Sequence, residues 1–464
     1  MVFSSLEFLF WFFPIFFLLY FLIPAKGRSF VILAGSLFFY AFGEPLYVFI
    51  MIGSIVINHL FALCIYKFKL NSTRRIMLIL SLFVNFGCLF FFKYLGFVCG
   101  IINGLCKTNL NPPELSLPLG ISFYTFQMTS YVIDIYRRKY DVEKNFIHFA
   151  AYVSMFPQLI AGPIVNYNEV AEDMKDRHSS LKDVEQGFMI FILGLAFKIL
   201  LANKISSLWA DVESTGPLGI NAATAWLGAW GYSMQIYFDF FGYSLMAIGL
   251  GRVMHFRFPD NFDSPYISTS ATEFWRRWHI TLGRWFREYV YIPLGGNRKG
   301  KGRLIFNTFV VWFLTGLWHG ADWNFIIWGL FFFLLLMIEK LGLKKVFDKV
   351  KPLGHLYVLF WIPISWLIFN VSDLTLLVQY LKRMFGIPLD GAPAFDGWIK
   401  FRGLIGTYWW LLLICFICAT PLPMYLLKRF KNSALLKLIL FALFGYCIYQ
   451  IAISTNNPFL YFRF

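Results

Sequence analysis

Two histidines and one carboxylate stand where ionisable groups are rare. His319 lies in Leu314-Thr-Gly-Leu-Trp-His-Gly-Ala-Asp-Trp-Asn324, between two strongly apolar stretches. An ionised group at membrane depth costs about 2.5–3.5 kcal/mol on insertion scales, so such residues mark functional sites by default. A neutral imidazole is cheaper to bury, and a merely hydrogen-bonded core histidine is the competing interpretation. Gly316 and Gly320 flank His319 and let a backbone or ligand approach closely. A neutral imidazole in that place can draw a proton from a hydroxyl nucleophile. His279, in Thr272-Glu-Phe-Trp-Arg-Arg-Trp-His279, stands one helical turn from Arg276 and could orient a substrate or line a path toward His319. An inert interfacial histidine is its alternative. Asp239 sits inside Gln235-Ile-Tyr-Phe-Asp-Phe-Phe-Gly-Tyr-Ser244, in the middle of an apolar run. A carboxylate there needs a partner, for which an Arg or His of a neighbouring helix is the natural expectation. Gln235, Tyr237 and Tyr243 complete a polar cluster that could equally be a structural knot fixing helix register. The other His residues have no second ligand at metal spacing, and no metal site is expected.

The elements that must position these groups follow from composition. Of 464 residues, 59% are hydrophobic and 14% charged, with 57 Phe. Soluble domains carry about 25% charged residues, so a cytosolic enzyme, a disulfide scaffold and a disordered chain are excluded. Weak alternations of about ten residues, the mark of a membrane barrel, are absent from the sequence. An all-α polytopic membrane protein remains. Apolar runs near 2–24, 29–42, 45–66, 76–95, 118–136, 187–203, 222–250, 304–319, 321–340, 356–372, 406–427 and 437–453 give about ten to twelve crossings, with re-entrant or interfacial pieces around a central pore. The first run lacks a basic flank and a cleavage site and is read as a retained helix. The 147–165 stretch, ending in Gly162-Pro163, suits a re-entrant segment. The chain is read as a single membrane-embedded domain, with a catalytic core at 120–323 and a tail at 455–464.

The 41 basic against 25 acidic residues give a net charge of +16. The basic residues cluster in short loops such as Lys67/Lys69/Arg74/Arg75, Arg137/Arg138/Lys139 and Lys344/Lys345/Lys349/Lys351. That is the positive-inside pattern with anionic lipid contact, not nucleic-acid binding. It places both termini outside the cytoplasm, with Lys382, Arg383, Lys400 and Arg402 as a mild violation. Most of the seven Cys lie in apolar runs, and Cys415-x-x-Cys418 has no metal partner, so a packing role is expected.

Ser270 and Glu273 have capping-box spacing. After them Trp275, Trp278, Leu282, Trp285 and Tyr289 recur at helical spacing, predicting one amphipathic interfacial helix over 270–291. Its aromatic face would meet the membrane, and Arg276, Arg277, Arg284 and Arg287 would face water, headgroups or an anionic cytosolic ligand.

These motifs, together with Leu119-Gly-Ile-Ser-Phe-Tyr-Thr-Phe-Gln127, Phe156-Pro-Gln-Leu-Ile-Ala-Gly-Pro163 and Tyr291-Ile-Pro-Leu-Gly-Gly-Asn-Arg298, are collinear over about 120–323. In combination they resemble the membrane-bound O-acyltransferase (MBOAT) family, in the branch of alginate and peptidoglycan O-acetyltransferase membrane subunits. The resemblance implies His319 as the catalytic histidine and His279 as a second characteristic one. It implies acetyl-CoA as the cytoplasmic donor, which suits phosphate binding by Arg276, Arg277 and Arg284. The tail Phe459-Leu-Tyr-Phe-Arg-Phe464 is similar to a C-terminal pattern of this branch in which the tyrosine, here Tyr461, is thought to carry the acyl group; an aromatic interface anchor is the alternative. An aryl ester is a good acyl donor because a phenol ionises near pH 10. An extracytoplasmic SGNH-type transferase is the implied partner, and a cell-envelope polysaccharide the implied acceptor. Two other readings stay open: an acyltransferase using another acyl-CoA with a lipid or protein acceptor, and a transporter, which would also carry His and Asp at membrane depth.

Overall fold

Long apolar stretches close their backbone hydrogen bonds within helices, and the computed structural model describes a helical chain at residues 1–113, 115–160, 162–175, 180–298, 300–391, 397–454 and 460. No strand occurs among the described residues. Among the described residues, seven helices are long and apolar enough to cross a membrane: Tyr47–Lys67, Asn71–Cys106, Leu181–Thr215, Trp323–Lys349, Lys351–Asn370, Trp398–Cys418 and Ala434–Ile453. Phe8–Leu22 is a shorter apolar helix. Other expected crossings are also helices, at Arg28–Gly43, Ile121–Tyr136, Ala222–Val253 and Gly300–His319. Shorter length or lower hydropathy keeps them outside that group. The 147–165 stretch breaks into the helices Phe146–Ser154, buried from Phe149 onward, and Phe156–Leu159, buried throughout.

The chain forms two compact units. The first comprises 1–192, 243–260 and 451–454. Its buried polar groups are closed on one another. Asn58 and Asn85 exchange amide hydrogen bonds at 2.7 and 2.8 Å, and Ser81 donates to Asn58 at 3.2 Å. Arg74 donates to the carbonyls of Ile65 and Tyr136. The Tyr167 hydroxyl donates to Glu143 at 2.6 Å. That bond and the Asn145 N–H offset the cost of burial and hold the Glu143 carboxyl below its ordinary range. Gly187 and Gly249 meet so closely that a Cβ on either would strike the other's carbonyl oxygen, the small-residue contact common in membrane helix pairs.

The second unit comprises 193–242, 261–450 and 455–464. Here Gly316 and Gly329 play the same part. A Cβ on Gly316 would strike the Phe325 carbonyl, and one on Gly329 the Trp312 carbonyl. Gly300–His319 and Trp323–Ile338 therefore pack as a tight hairpin. Asp322 caps its second arm by accepting the Trp323 N–H at 2.6 Å. Gly320 has no room for a Cβ because the Phe325 ring lies against it. The sequence thus ends the first arm at His319 and fixes that residue at the turn.

The expected single helix over 270–291 is instead broken. Ala271–Arg277 and Ile280–Phe286 are separate helices, and Arg287–Tyr291 forms a π-helical turn. Trp278 is extended, and His279 has a left-handed backbone at φ 44°. The aromatic stripe does not lie on a membrane surface. Trp278, Leu282, Trp285 and Tyr289 are buried, and the rings of Trp275 and Trp278 pack 4.8 Å from Trp312 and 4.6 Å from Trp366. The periodicity was that of a protein core, with tryptophan where aliphatic residues commonly stand. Ser270 does accept the Glu273 N–H, but the Glu273 carboxylate reaches Thr269 instead of closing the box on Ser270.

Candidate active site: a boxed imidazole beside an arginine-lined cavity

His319 is 6% exposed and enclosed by rings. Trp318 and Trp328 lie 4.9 Å from it and Phe369 5.2 Å, all near perpendicular. Asn324 donates to the Phe369 carbonyl at 2.8 Å, tying the end of the Lys351–Asn370 helix to the hairpin and fixing the third wall.

His279 reaches the same neighbourhood through Trp318, whose ring lies 5.8 Å away. It is 1% exposed, so the expected position near the cytoplasmic surface is corrected by the backbone break that turns it inward. Its Nδ1 stands 3.1 Å from Asn261 Oδ1, which also accepts from the Thr281 hydroxyl and N–H. Donors converging on that oxygen make His279 Nδ1 the protonated nitrogen and leave Nε2 as the acceptor. Burial pushes the pKa of His279, which lies between short helices and not in a crossing segment, down to about 3.

The arginines divide. Arg276 and Arg284 line a cavity of about 980 Å³, together with Arg287 and Arg298. Its lining residues include no carboxylate. Arg277 does not line it. Its guanidinium donates to Glu273 at 3.0 Å and to Asp263 at 2.9 Å, so its charge is committed to structure and the expected ligand role is corrected. Glu339 docks this segment by accepting the Ala271 and Thr272 N–H groups and the Thr272 hydroxyl, a favourable place for a carboxylate at a helix start. The cavity wall stands two rings from the imidazole: Trp275 lines it and lies 5.5 Å from Trp328, which in turn touches His319.

Asp239 is paired with Lys198, not with the expected Arg or His. The two helices approach closely because Gly242 faces the Gly194 carbonyl without a Cβ. Gln235 is buried on the same helix. Tyr237 packs 6.0 Å from Trp278, while Tyr243 belongs to the first unit, stacked on Phe3. Tyr461 lies outside the described residues. No group of His, Cys, Asp and Glu among the described residues could hold a metal.

Sequence reasoning missed Lys198, Asn261, Arg298 and the Trp328–Phe369 walls. A signal existed for the first: Lys198 is a lone cation in an apolar run, as Asp239 is a lone anion in another, and such residues pair. Arg298 closes a Gly-Gly-Asn-Arg turn that follows the arginine-bearing segment. Nothing local singles out Asn261 or the ring walls, which depend on tertiary packing.

The description of the membrane-bound O-acyltransferase family matches residues 141–344, a stretch that contains both histidines and all four cavity arginines. Probable alginate O-acetylase AlgI of Pseudomonas putida is 39% identical over 391 residues, covering 83% of this chain and 80% of that protein. Peptidoglycan O-acetyltransferase of Helicobacter pylori is 36% identical over 424 residues, with 83% and 80% covered. Teichoic acid D-alanyltransferase of Streptococcus thermophilus is 33% identical over 249 residues, covering 49% of this chain and 58% of that protein. The chain is a multi-pass membrane acyltransferase and belongs to the membrane-bound O-acyltransferase family.

Proposed function

We propose that the protein transfers acetyl from cytosolic acetyl-CoA to a hydroxyl presented on the far side of a bacterial inner membrane, for O-acetylation of a cell-envelope polysaccharide. The observation that carries the donor half is the cavity with four arginines and no carboxylate in its lining, two rings from His319. Coenzyme A carries several phosphate charges, and guanidinium groups bind phosphate in bidentate pairs. The acceptor half rests on the relatives, named for alginate and peptidoglycan O-acetylation.

His319 takes the proton of the attacking hydroxyl, and the resulting oxyanion attacks the thioester carbonyl. The tetrahedral intermediate collapses with loss of the CoA thiolate, which recovers the proton from the imidazolium. The nucleophile is Tyr461, which hands the acetyl on, or the acceptor itself. His279, fixed by Asn261, keeps Nε2 as an acceptor beside Trp318. Final delivery belongs to an extracytoplasmic SGNH-type transferase, and both termini lie on its side of the membrane.

Donor competition tests the reading. Purified protein should release CoA from acetyl-CoA, and palmitoyl-CoA should compete poorly. Preferred use of the long-chain donor would move the assignment to a lipid or protein acceptor. Solute flux independent of acetyl-CoA would assign a transporter.

A further inference from the structure

Two apolar helices of the first unit, Phe8–Leu22 and Arg28–Gly43, are joined by the turn 23–27 and line a cavity of about 660 Å³. Its shape follows from residue spacing. Trp11, Ile15 and Leu19 recur every fourth residue and form one rim. Phe30, Ala34 and Phe38 do the same on the other helix and form the second. All of these rim residues are exposed. Between the rims Phe12 and Phe16 are buried, and a Cβ on Gly35 would strike the Phe16 ring, so the helices touch along the floor. The result is an open trench whose lining has one charged side chain, Glu7. Its rims follow each helix for about three turns, roughly 16–18 Å. One leaflet of a bilayer's hydrocarbon core is about 15 Å deep.

The two ends of the trench differ in charge. Glu7 stands at the end away from the turn. At the other end Ile23, which lines the trench, fills the space a Cβ on Gly27 would need, so the lining runs up to the turn that carries Lys26. Lys26 is exposed, and Arg28 follows it with its guanidinium carbon 5.1 Å from the Tyr20 ring. We propose that this trench binds one anionic phospholipid, with its phosphate at Lys26 and one acyl chain lying on Phe12 and Phe16. The chain matches the lining in polarity and the trench in length. The charges fix its direction: Lys26 attracts a phosphate, and Glu7 repels one from the far end. Ala34 reduces its rim to a methyl group between two phenylalanines, which leaves the middle of the trench wide enough for the chain. The lipid then bridges the two helices from the membrane side, as a bound ligand and not as solvent.

Photocrosslinking of the purified full-length protein in phosphatidylcholine nanodiscs tests the site. The probe is a small fraction of phosphatidylglycerol carrying a diazirine in one acyl chain, and mass spectrometry maps the labelled peptides. Label is expected to concentrate on 11–23 and 30–42, to saturate at one lipid per chain, and to be displaced by unlabelled phosphatidylglycerol but not by more phosphatidylcholine. Ala34→Trp fills the trench from an exposed position. It should cut that labelling about tenfold and leave the lipid-facing Ala434–Ile453 helix labelled as before. Lys26→Gln should weaken phosphatidylglycerol binding about fivefold, the worth of one basic residue at an anionic membrane surface, without moving the labelled positions. Should Ala34→Trp fail to insert, this second variant still decides: an unchanged preference for phosphatidylglycerol over phosphatidylcholine overturns the site. Label as dense on Ala434–Ile453 as in the trench, displaced equally by both lipids, means bulk lipid and overturns it too. So does a dimer in native mass spectrometry that Ala34→Trp dissolves, which would give the trench to a second copy of the chain.

Discussion

Each compact unit closes buried polar groups on one another, and the second adds a cavity lined by arginines. In the first, Asn58 and Asn85 exchange hydrogen bonds, Arg74 is spent on two carbonyls, and Glu143 is met by Tyr167 and a backbone amide. Each group closes on a neighbour, and what results is register and rigidity. In the second, four arginines line a cavity with no carboxylate among its lining residues, and an imidazole sits inside a box of rings. Positive charge gathered without a lining counter-charge is an electrostatic sink for an anion. Polar residues therefore divide into those that complete the fold and those that line the cavity. Arg276 and Arg277 make the point within one turn of helix: the first lines the cavity, while the second is clamped by Glu273 and Asp263.

The contrast can be broken at several points. His319→Ala should lower kcat for acetyl transfer by about 10²–10⁴, the worth of a positioned general base, with the protein still inserted. A rate within a factor of two of wild type removes the base assignment. Reversing charge in the cavity, as Arg276→Glu or Arg298→Glu, should raise the acetyl-CoA KM about tenfold or more, and the effect should shrink as salt rises. If both leave KM unchanged, the donor binds elsewhere. Arg277→Ala should leave KM alone and cost about 1 kcal/mol of stability, a figure held down because Asp263 is largely exposed. A tenfold rise in KM from this variant would erase the distinction between the two arginines. Asn58→Leu in the first unit should lower thermal stability by about 1 kcal/mol, as expected for one interhelical bond in a membrane, with kcat and KM intact.

His279 supplies the most specific test. Its folded pKa, near 3, lies below the value of about 6.5 for a free imidazole. The unfolded state therefore takes up the proton first. The stability due to burying the neutral ring is complete above pH 6.5 and is lost as pH falls toward 3, at about 1.4 kcal/mol per pH unit. His279→Asn should flatten the acid side of the stability profile by that amount. It should leave in place any limb of the kcat/KM profile near neutrality, because His279 stays neutral there. A neutral limb that vanishes with this substitution would show His279, not His319, to be the titrating base.

Much of this architecture was legible in the sequence because membrane helices must close their own backbone bonds, and apolar length reports them directly. The hairpin around His319 was legible for a further reason: Gly316 and Gly320 announce close approach. The segment at 270–291 was misread because periodicity locates a face and not what covers it. The same tryptophan stripe suits a lipid surface or a core, and only tertiary packing chose the core. The break at His279 left no local mark, since neither Gly nor Pro stands there, and a left-handed histidine is held by Asn261 from outside the helix. Lys198 was within reach of a simple argument, because a lone lysine and a lone aspartate in separate apolar runs are costly apart and tolerable together.

Single-turnover mixing of the purified protein with radiolabelled acetyl-CoA, followed by mass spectrometry of the 455–464 peptide, examines the central claim at its narrowest point. Acetyl should appear on Tyr461 as CoA is released in the wild type, with neither event in His319→Ala. Acetyl-CoA turned over at the same rate in both proteins would contradict it.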